Sequence, residues 1–193
     1  MNELSSIVNF FFEVGILNHT IRSGNKFLGS GKQNVASHIF RTIVIGYTMS
    51  KILNADTEKV LLMCLFHDIE ETRTGDLNYF QQLYVKSDDD KALNDILKNL
   101  PFKDEIEKII QEYASLETLE SQIAKDADTL ELILFLKEEK DKGNEQAQNW
   151  IDSSKRRLIT DLSKKILISI ESTKYYEWWY NIRDDWANGN KKW

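Results

Sequence analysis

The sequence predicts an all-α fold, and three observations lead there. A single proline, Pro101, in 193 residues leaves the chain free to run in long helices. Apolar residues recur at helical spacing almost throughout. Glycine-rich or polar punctuation falls at Ser23–Lys32, at Thr74-Gly75-Asp76 and at Gly143-Asn144, where helices are expected to break.

Taken in order, residues 3 to 18 carry Leu4, Val8, Phe11, Phe12 and Ile16 as one stripe. Ser23–Lys32 reads as a loop whose Gly24, Gly29 and Gly31 allow close backbone approach. The next helix carries His38, followed by Ile43, Val44, Tyr47 and Ile52 as an inward stripe. Asp56 or Thr57 caps a short helix ending near His67, and Thr74-Gly75-Asp76 marks the exit toward a segment around Ser87 to Asp90. Beyond Pro101 the spacing predicts helices over about 102 to 114 and 118 to 140. A further helix runs to about Ser172, then a last aromatic one. The run Lys137-Glu138-Glu139-Lys140-Asp141-Lys142 reads as a solvated face and helix end. Tyr175, Tyr176, Trp178, Trp179, Tyr180, Trp186 and Trp193 crowd the C-terminus, which suggests a packed cap or the seam of a homodimer.

The length suits one domain over residues 1 to 193, large enough to bury a core without disulfides. Within it, the site-bearing core is expected at about 20 to 140 and a C-terminal helical cap at about 144 to 193. The one cysteine, Cys64, sits in an apolar run and reads as a buried thiol, which places the protein in the reducing cytoplasm. No apolar run is long enough for a membrane span, and Met1-Asn2-Glu3-Leu4 lacks the basic start of a signal peptide. A net charge of -6 argues against large nucleic acids as partners. A small phosphorylated molecule stays compatible, since a metal and one or two local cations can hold one phosphate.

Three histidines are present, and His67 stands directly before Asp68 at the end of the apolar run Leu61–Phe66. Imidazole beside carboxylate suits a divalent transition metal such as Mn, Co, Fe or Zn, which can turn bound water into a nucleophile near neutral pH. The pair alone is weak evidence, since a histidine capping the helix and an aspartate starting a turn give the same dipeptide. A second histidine, His38, and a distant acid, Asp128, both lie on apolar helical patterns; Ala124, Ala127, Glu131 and Phe135 surround Asp128 at helical spacing. A buried carboxylate left unpaired is costly, so three separate helices could deliver four metal ligands, His38, His67, Asp68 and Asp128, to one point.

Glu71, three residues beyond Asp68, comes round to the same side if the helical turn continues, and is a candidate general acid or base together with the metal-side Asp68. Its neighbour Glu70 is expected to face solvent. Arg22, in the loop preceding His38, is the best phosphate clamp because a guanidinium offers a bidentate fork. Arg41 and Lys125 could add positive charge or serve as ion-pair partners, and His19 reads as a surface or helix-end residue.

With His38, His67-Asp68 and Asp128 in that order, the chain resembles the HD-domain metal-dependent phosphohydrolase superfamily over about residues 5 to 140. His67-Asp68-Ile69-Glu70-Glu71-Thr72-Arg73-Thr74-Gly75-Asp76-Leu77 is similar to the HDxxExxTGDL block of its 5′-deoxynucleotidases and oxetanocin-like relatives. Thr20-Ile21-Arg22-Ser23-Gly24 resembles their phosphate-binding TPRxG segment, and Lys125–Leu130 their later acidic block. The resemblance implies a helical bundle forming a single HD domain, one divalent metal, proton transfer by Glu71, and Asp76 on a sugar hydroxyl. It also implies removal of the 5′-phosphate from (deoxy)nucleoside monophosphates. Alternatives that keep the same residues are a phosphodiesterase acting on a cyclic nucleotide or other small phosphoester, and a noncatalytic binding protein stabilised by its metal. Two positions depart from the pattern. Ser37 replaces a frequent glutamate before the first histidine, and Ser23 replaces the tryptophan found in relatives that exclude ribonucleotides, so weak discrimination at the 2′ position is expected.

Overall fold

The computed structural model describes residues 3–180, which are helical with no strand; a lone antiparallel bridge joins Ile21 to Asn34. Helix α1 (Glu3–Val14) passes through a 3-10 turn (Gly15–Asn18) into the loop that carries Arg22. A four-residue helix, α2 (Asn25–Leu28), interrupts that loop where the sequence suggested no helix. The bridge closes the loop: Arg22 N donates to Gln33 O at 3.0 Å and Val35 N to Thr20 O at 2.9 Å, which holds Arg22 beside the start of α3 (Val35–Leu53).

Caps fix where the main helices begin. Asn34 accepts from Ser37 N at the head of α3, and Asp56 accepts from Lys59 N at the head of α4 (Thr57–Phe66). Thr118 forms a capping box with Ser121 at the head of α9 (Leu119–Asp141), and such caps contribute about 1 kcal/mol each. Between α4 and α9 lie α5 (Glu71–Thr74), α6 (Tyr79–Gln82), α7 (Asp89–Leu97) and α8 (Lys103–Ser115). After α9 come α10 (Gln146–Ser154), α11 (Asp161–Ser172) and α12 (Glu177–Tyr180).

Helix α9 runs through the centre and packs against α3, α4, α8, α10 and α11. Its Ile123, Leu130, Ile133 and Leu136 join Met49, Val60, Met63, Ala147, Ile151 and Ile170 in one cluster. Each fully buried aliphatic side chain of this kind stabilises the fold by about 1.5–3 kcal/mol. A second cluster, Phe10, Ile69, Ile96, Leu97, Leu100 and Ile106, ties α1, α7 and α8 to the turn after His67. Gly46 sets the approach of α3 to α4: a Cβ there would stand 2.7 Å from Cys64 Sγ and 3.1 Å from Val60 Cγ1.

Several expectations are corrected. The inward face of α3 is Val35, His38, Ile39, Thr42, Gly46 and Met49, while Val44, Tyr47 and Ile52 are exposed and only Ile43 packs against the core. In α1 the buried apolar side chain is Phe10, with Ile7 and Val14 packed on its cluster; Leu4, Val8, Phe11, Phe12 and Ile16 face outward. Both slips have one cause: an apolar residue on the outer face satisfies the same periodicity as one on the inner face. Lys137 and Glu139 are buried, not solvated, and Lys137 Nζ pairs with Asp141 Oδ2 at 2.5 Å. The helix expected to run to Ser172 breaks after Ser154, and Asp126 explains the break. Asp126 is fully buried, and its carboxylate accepts from Ile159 N at 2.7 Å, Thr160 N at 2.8 Å and Thr160 Oγ1 at 2.7 Å, fastening the head of α11 to α9. At the C-terminus Tyr175, Trp178, Trp179 and Tyr180 are exposed rather than packed as a cap, and Trp186 and Trp193 lie outside the described residues. No helix among the described residues is long and apolar enough to cross a membrane.

Candidate metal centre

Three elements bring the four expected donors together. His38 projects from the first turns of α3 with no exposed surface, His67 caps the C-terminal end of α4, Asp68 follows it in the turn, and Asp128 comes from the middle of α9. His38 Nε2 lies 3.3 Å from His67 Nε2, 3.3 Å from Asp128 Oδ1 and 3.7 Å from Asp68 Oδ2. His67 Nε2 lies 3.3 Å from Asp68 Oδ2. Two donors each about 2.1 Å from a tetrahedral ion stand about 3.4 Å apart, so this spacing fits one divalent transition metal. His38, His67 and Asp128 each place a ligand atom within 4.8 Å of the others; Asp68 stands beside them but also accepts from Arg22 Nη1 at 3.3 Å.

Every donor has an outer partner. His38 Nδ1 meets Glu131 Oε2 at 2.5 Å and His67 Nδ1 meets Cys64 O at 3.0 Å, so both rings turn Nε2 toward the common point. Lys125 Nζ takes Asp128 Oδ2 at 2.8 Å and reaches Tyr113 OH at 3.3 Å, which leaves Oδ1 on the side of the histidines. The Tyr113 ring packs on His67 with centroids 5.6 Å apart. Glu131 is itself fully buried and held by Gln33 Nε2 at 2.6 Å and Arg41 Nε at 2.8 Å. Its role was not identified from the sequence, although it stands three residues after Asp128 on an apolar face, a place where a carboxylate must be paired.

The charges divide the histidines. Burial disfavours a proton on His67 and lowers its pKa below the usual imidazole value. Burial also opposes a charged His38, but hydrogen bonds to Asp128 and Glu131 outweigh it and lift the pKa to about 9. Asp128 is held well below the ordinary carboxylate range: burial pushes up, while the His38 hydrogen bond and the charge of Lys125 pull further down.

On the open side, Arg22 spans two carboxylates, with Nη1 on Asp68 Oδ2 and Nε on Asp76 Oδ2, each at 3.3 Å. Burial opposes its charge, but the carboxylates of Asp68, Asp128 and Asp76 keep it protonated. Glu71 opens α5, its N–H bonded to Asp68 O at 3.2 Å. Its Oε2 is buried without a hydrogen-bonding partner among the described residues. Burial, with Asp68 and Asp76 nearby, pushes its pKa up to about 10. Glu70 is half-buried rather than solvent-facing, and burial raises it to about 8. Cys64 is a free buried thiol pushed up to about 12. Arg41 serves Glu131 and Glu138, His19 is exposed, and Ser37 is exposed on a surface cleft with Lys32, Gln33 and Arg41.

The pKa of His38 has a direct consequence. A metal needs its neutral Nε2, and at neutral pH that nitrogen carries a proton in the metal-free protein. Binding of Mn²⁺ or Co²⁺ is therefore expected to release about one proton, and log affinity to rise by about one unit per pH unit between pH 7 and 8.5. Calorimetry in buffers of different ionisation enthalpy checks this; no proton release would contradict a charged His38 that loses its proton to become a ligand.

No curated protein matches the sequence. Among solved structures, the PH0347 protein from Pyrococcus horikoshii is 26% identical with a TM-score of 0.72, over 84% of this chain and 97% of that one. A protein from Magnetospirillum magnetotacticum, described as a predicted metal-dependent phosphohydrolase, is 20% identical with a TM-score of 0.69, over 88% and 91%. The cyanophage S-2L HD phosphohydrolase DatZ, bound to dA and one catalytic Zn²⁺, is 17% identical with a TM-score of 0.53, over 84% and 96%. These likenesses share the helical architecture. The HD domain family model matches residues 14–168, most of the sequence, and the chain belongs to the HD-domain family.

Proposed function

We propose that this protein is a metal-dependent phosphohydrolase that removes the 5′-phosphate from nucleoside monophosphates, with His38, His67, Asp68 and Asp128 as ligands. The observation that carries the reading is the position of Arg22: one guanidinium reaches from Asp68, on the metal side, to Asp76, on the far side. A phosphate placed against Arg22 lies next to the four donors, and the group it esterifies lies next to Asp76. The dA and Zn²⁺ of the cyanophage protein support a nucleoside and a divalent metal.

A divalent ion held by the four donors supplies Lewis-acid polarisation and water of lowered pKa. The protein's own groups do the remaining work. Arg22 neutralises and orients the phosphate, keeping the reacting atoms in line. Glu71, held protonated by its acidic and buried surroundings, donates a proton to the departing sugar oxygen, which would otherwise leave as an alkoxide. Asp76 accepts a hydrogen bond from a sugar hydroxyl. A protein using its metal for stability alone would need neither Arg22 nor Glu71 in these positions.

Phosphate release from nucleoside monophosphates by chelator-treated, metal-reloaded protein tests the reading. Glu71→Gln should keep its metal and lose roughly 100-fold or more in kcat. Metal loss in that variant would make Glu71 a ligand instead. Because Ser23 is small and turned toward Asp76 and Asn78, it builds no wall at the 2′ position. Side-by-side kinetics on dAMP and AMP should give kcat/KM values within about 100-fold. A larger preference would show that another side chain excludes the ribose hydroxyl.

A further inference from the structure

Ser23 lies in a loop yet keeps only 5% of its surface exposed, and its hydroxyl is fully engaged. It donates to Asp76 Oδ1 at 3.0 Å and accepts from Asn78 N at 3.0 Å and Asn78 Nδ2 at 2.9 Å. One proton and two lone pairs are all a serine hydroxyl has. Arg22, the preceding residue, holds the other oxygen, Asp76 Oδ2, through Nε at 3.3 Å. Two consecutive residues of one loop therefore grip both oxygens of one carboxylate, and each oxygen keeps a lone pair for something else. The same hydroxyl reaches the cap of α6, because Asn78 Oδ1 accepts from Phe80 N and Gln81 N.

We propose that Ser23 is a positioning residue for Asp76, orienting its carboxylate to accept a hydrogen bond from the sugar hydroxyl of a phosphate ester bound at Arg22. This rests on the nucleotide reading above and deepens it. The ligand is a pentose 5′-phosphate bearing a free 3′-hydroxyl, and Ser23 determines how strongly that hydroxyl counts. A carboxylate gripped at only one oxygen can swing about its side-chain bonds and loses the alignment that a hydrogen bond to substrate needs. In this arrangement the hydroxyl of Ser23 selects for the 3′ position and has no part in selecting at the 2′ position.

The test compares dAMP with 2′,3′-dideoxyadenosine 5′-monophosphate on the metal-loaded full chain. Ser23→Ala should raise KM for dAMP by about tenfold, the scale of one hydrogen bond, with kcat changed less than about threefold. On the dideoxy substrate the variant and the unaltered protein should agree within about threefold, and Ser23→Ala should add nothing in an Asp76→Asn background. Ser23→Cys, close in shape with a weaker donor, should fall between serine and alanine. Equal losses on both substrates, or an undiminished effect without Asp76, would overturn the proposal and leave Ser23 as a support for α6. No change at all on dAMP would overturn it as well. If the unaltered protein hydrolysed p-nitrophenyl phosphate but neither nucleotide, the nucleotide reading would fail and this inference with it; turnover of dAMP separates the two failures.

Discussion

The contact between Glu131 and His38 is what the rest of the site depends on. Neither side chain has exposed surface, and they meet at 2.5 Å between the central helix and α3. A carboxylate taken out of water is stable only when fully partnered. Glu131 meets that requirement with His38, Gln33 and Arg41. Satisfying Glu131 fixes the tilt of His38, which turns Nε2 toward His67, Asp68 and Asp128. The same contact brings in the loop through Gln33, and the bridge beside Gln33 holds Arg22. The position of Arg22 is thus tied to the pairing of one buried acid.

The central helix carries this organisation because its polar residues are distributed by angle. Asp126 and Asp128 are two residues apart and so point to nearly opposite sides. The first takes the backbone of Ile159 and Thr160 and joins α11 to the core; the second joins the histidines. Glu131, about one turn beyond Asp128, lies on the same side as it and stands behind His38. Burying carboxylates such as Asp126 and Glu131 on one helix costs stability that the surrounding aliphatic clusters offset. Asp128 on this helix, with Asp68 and Asp76 outside it, keeps Arg22 charged, whereas burial and the neighbouring Asp68 and Asp76 raise Glu71.

Much of this was legible in the sequence, and the reasons differ by residue. Helix positions followed from apolar period and caps, which are local: Asn34, Asp56 and Thr118 act within three residues of themselves. Which face of α1 and α3 turns inward was not legible, since Phe10 and Phe11, or Ile43 and Val44, are equally apolar and only tertiary contact distinguishes them. His38, His67, Asp68 and Asp128 could be assembled because metal-binding residue types are scarce on apolar helices. The role of Glu131 beside His38 was not legible, because the burial that forces it to be paired appears only in the fold. Ser23 was read for the bulk it lacks, whereas its hydroxyl, bonded to residues more than fifty positions away, is the informative part.

The central claim is that His38, His67, Asp68 and Asp128 hold one divalent ion. The most direct measurement is metal content by mass spectrometry after chelation and reloading, on the unaltered protein and on Asp128→Ala and His67→Ala. About one tightly held ion per chain is expected in the unaltered protein, with loss of the ion and of phosphate release in both variants. Variants that fold normally, retain a full complement of metal and still release phosphate at the original rate would contradict the account.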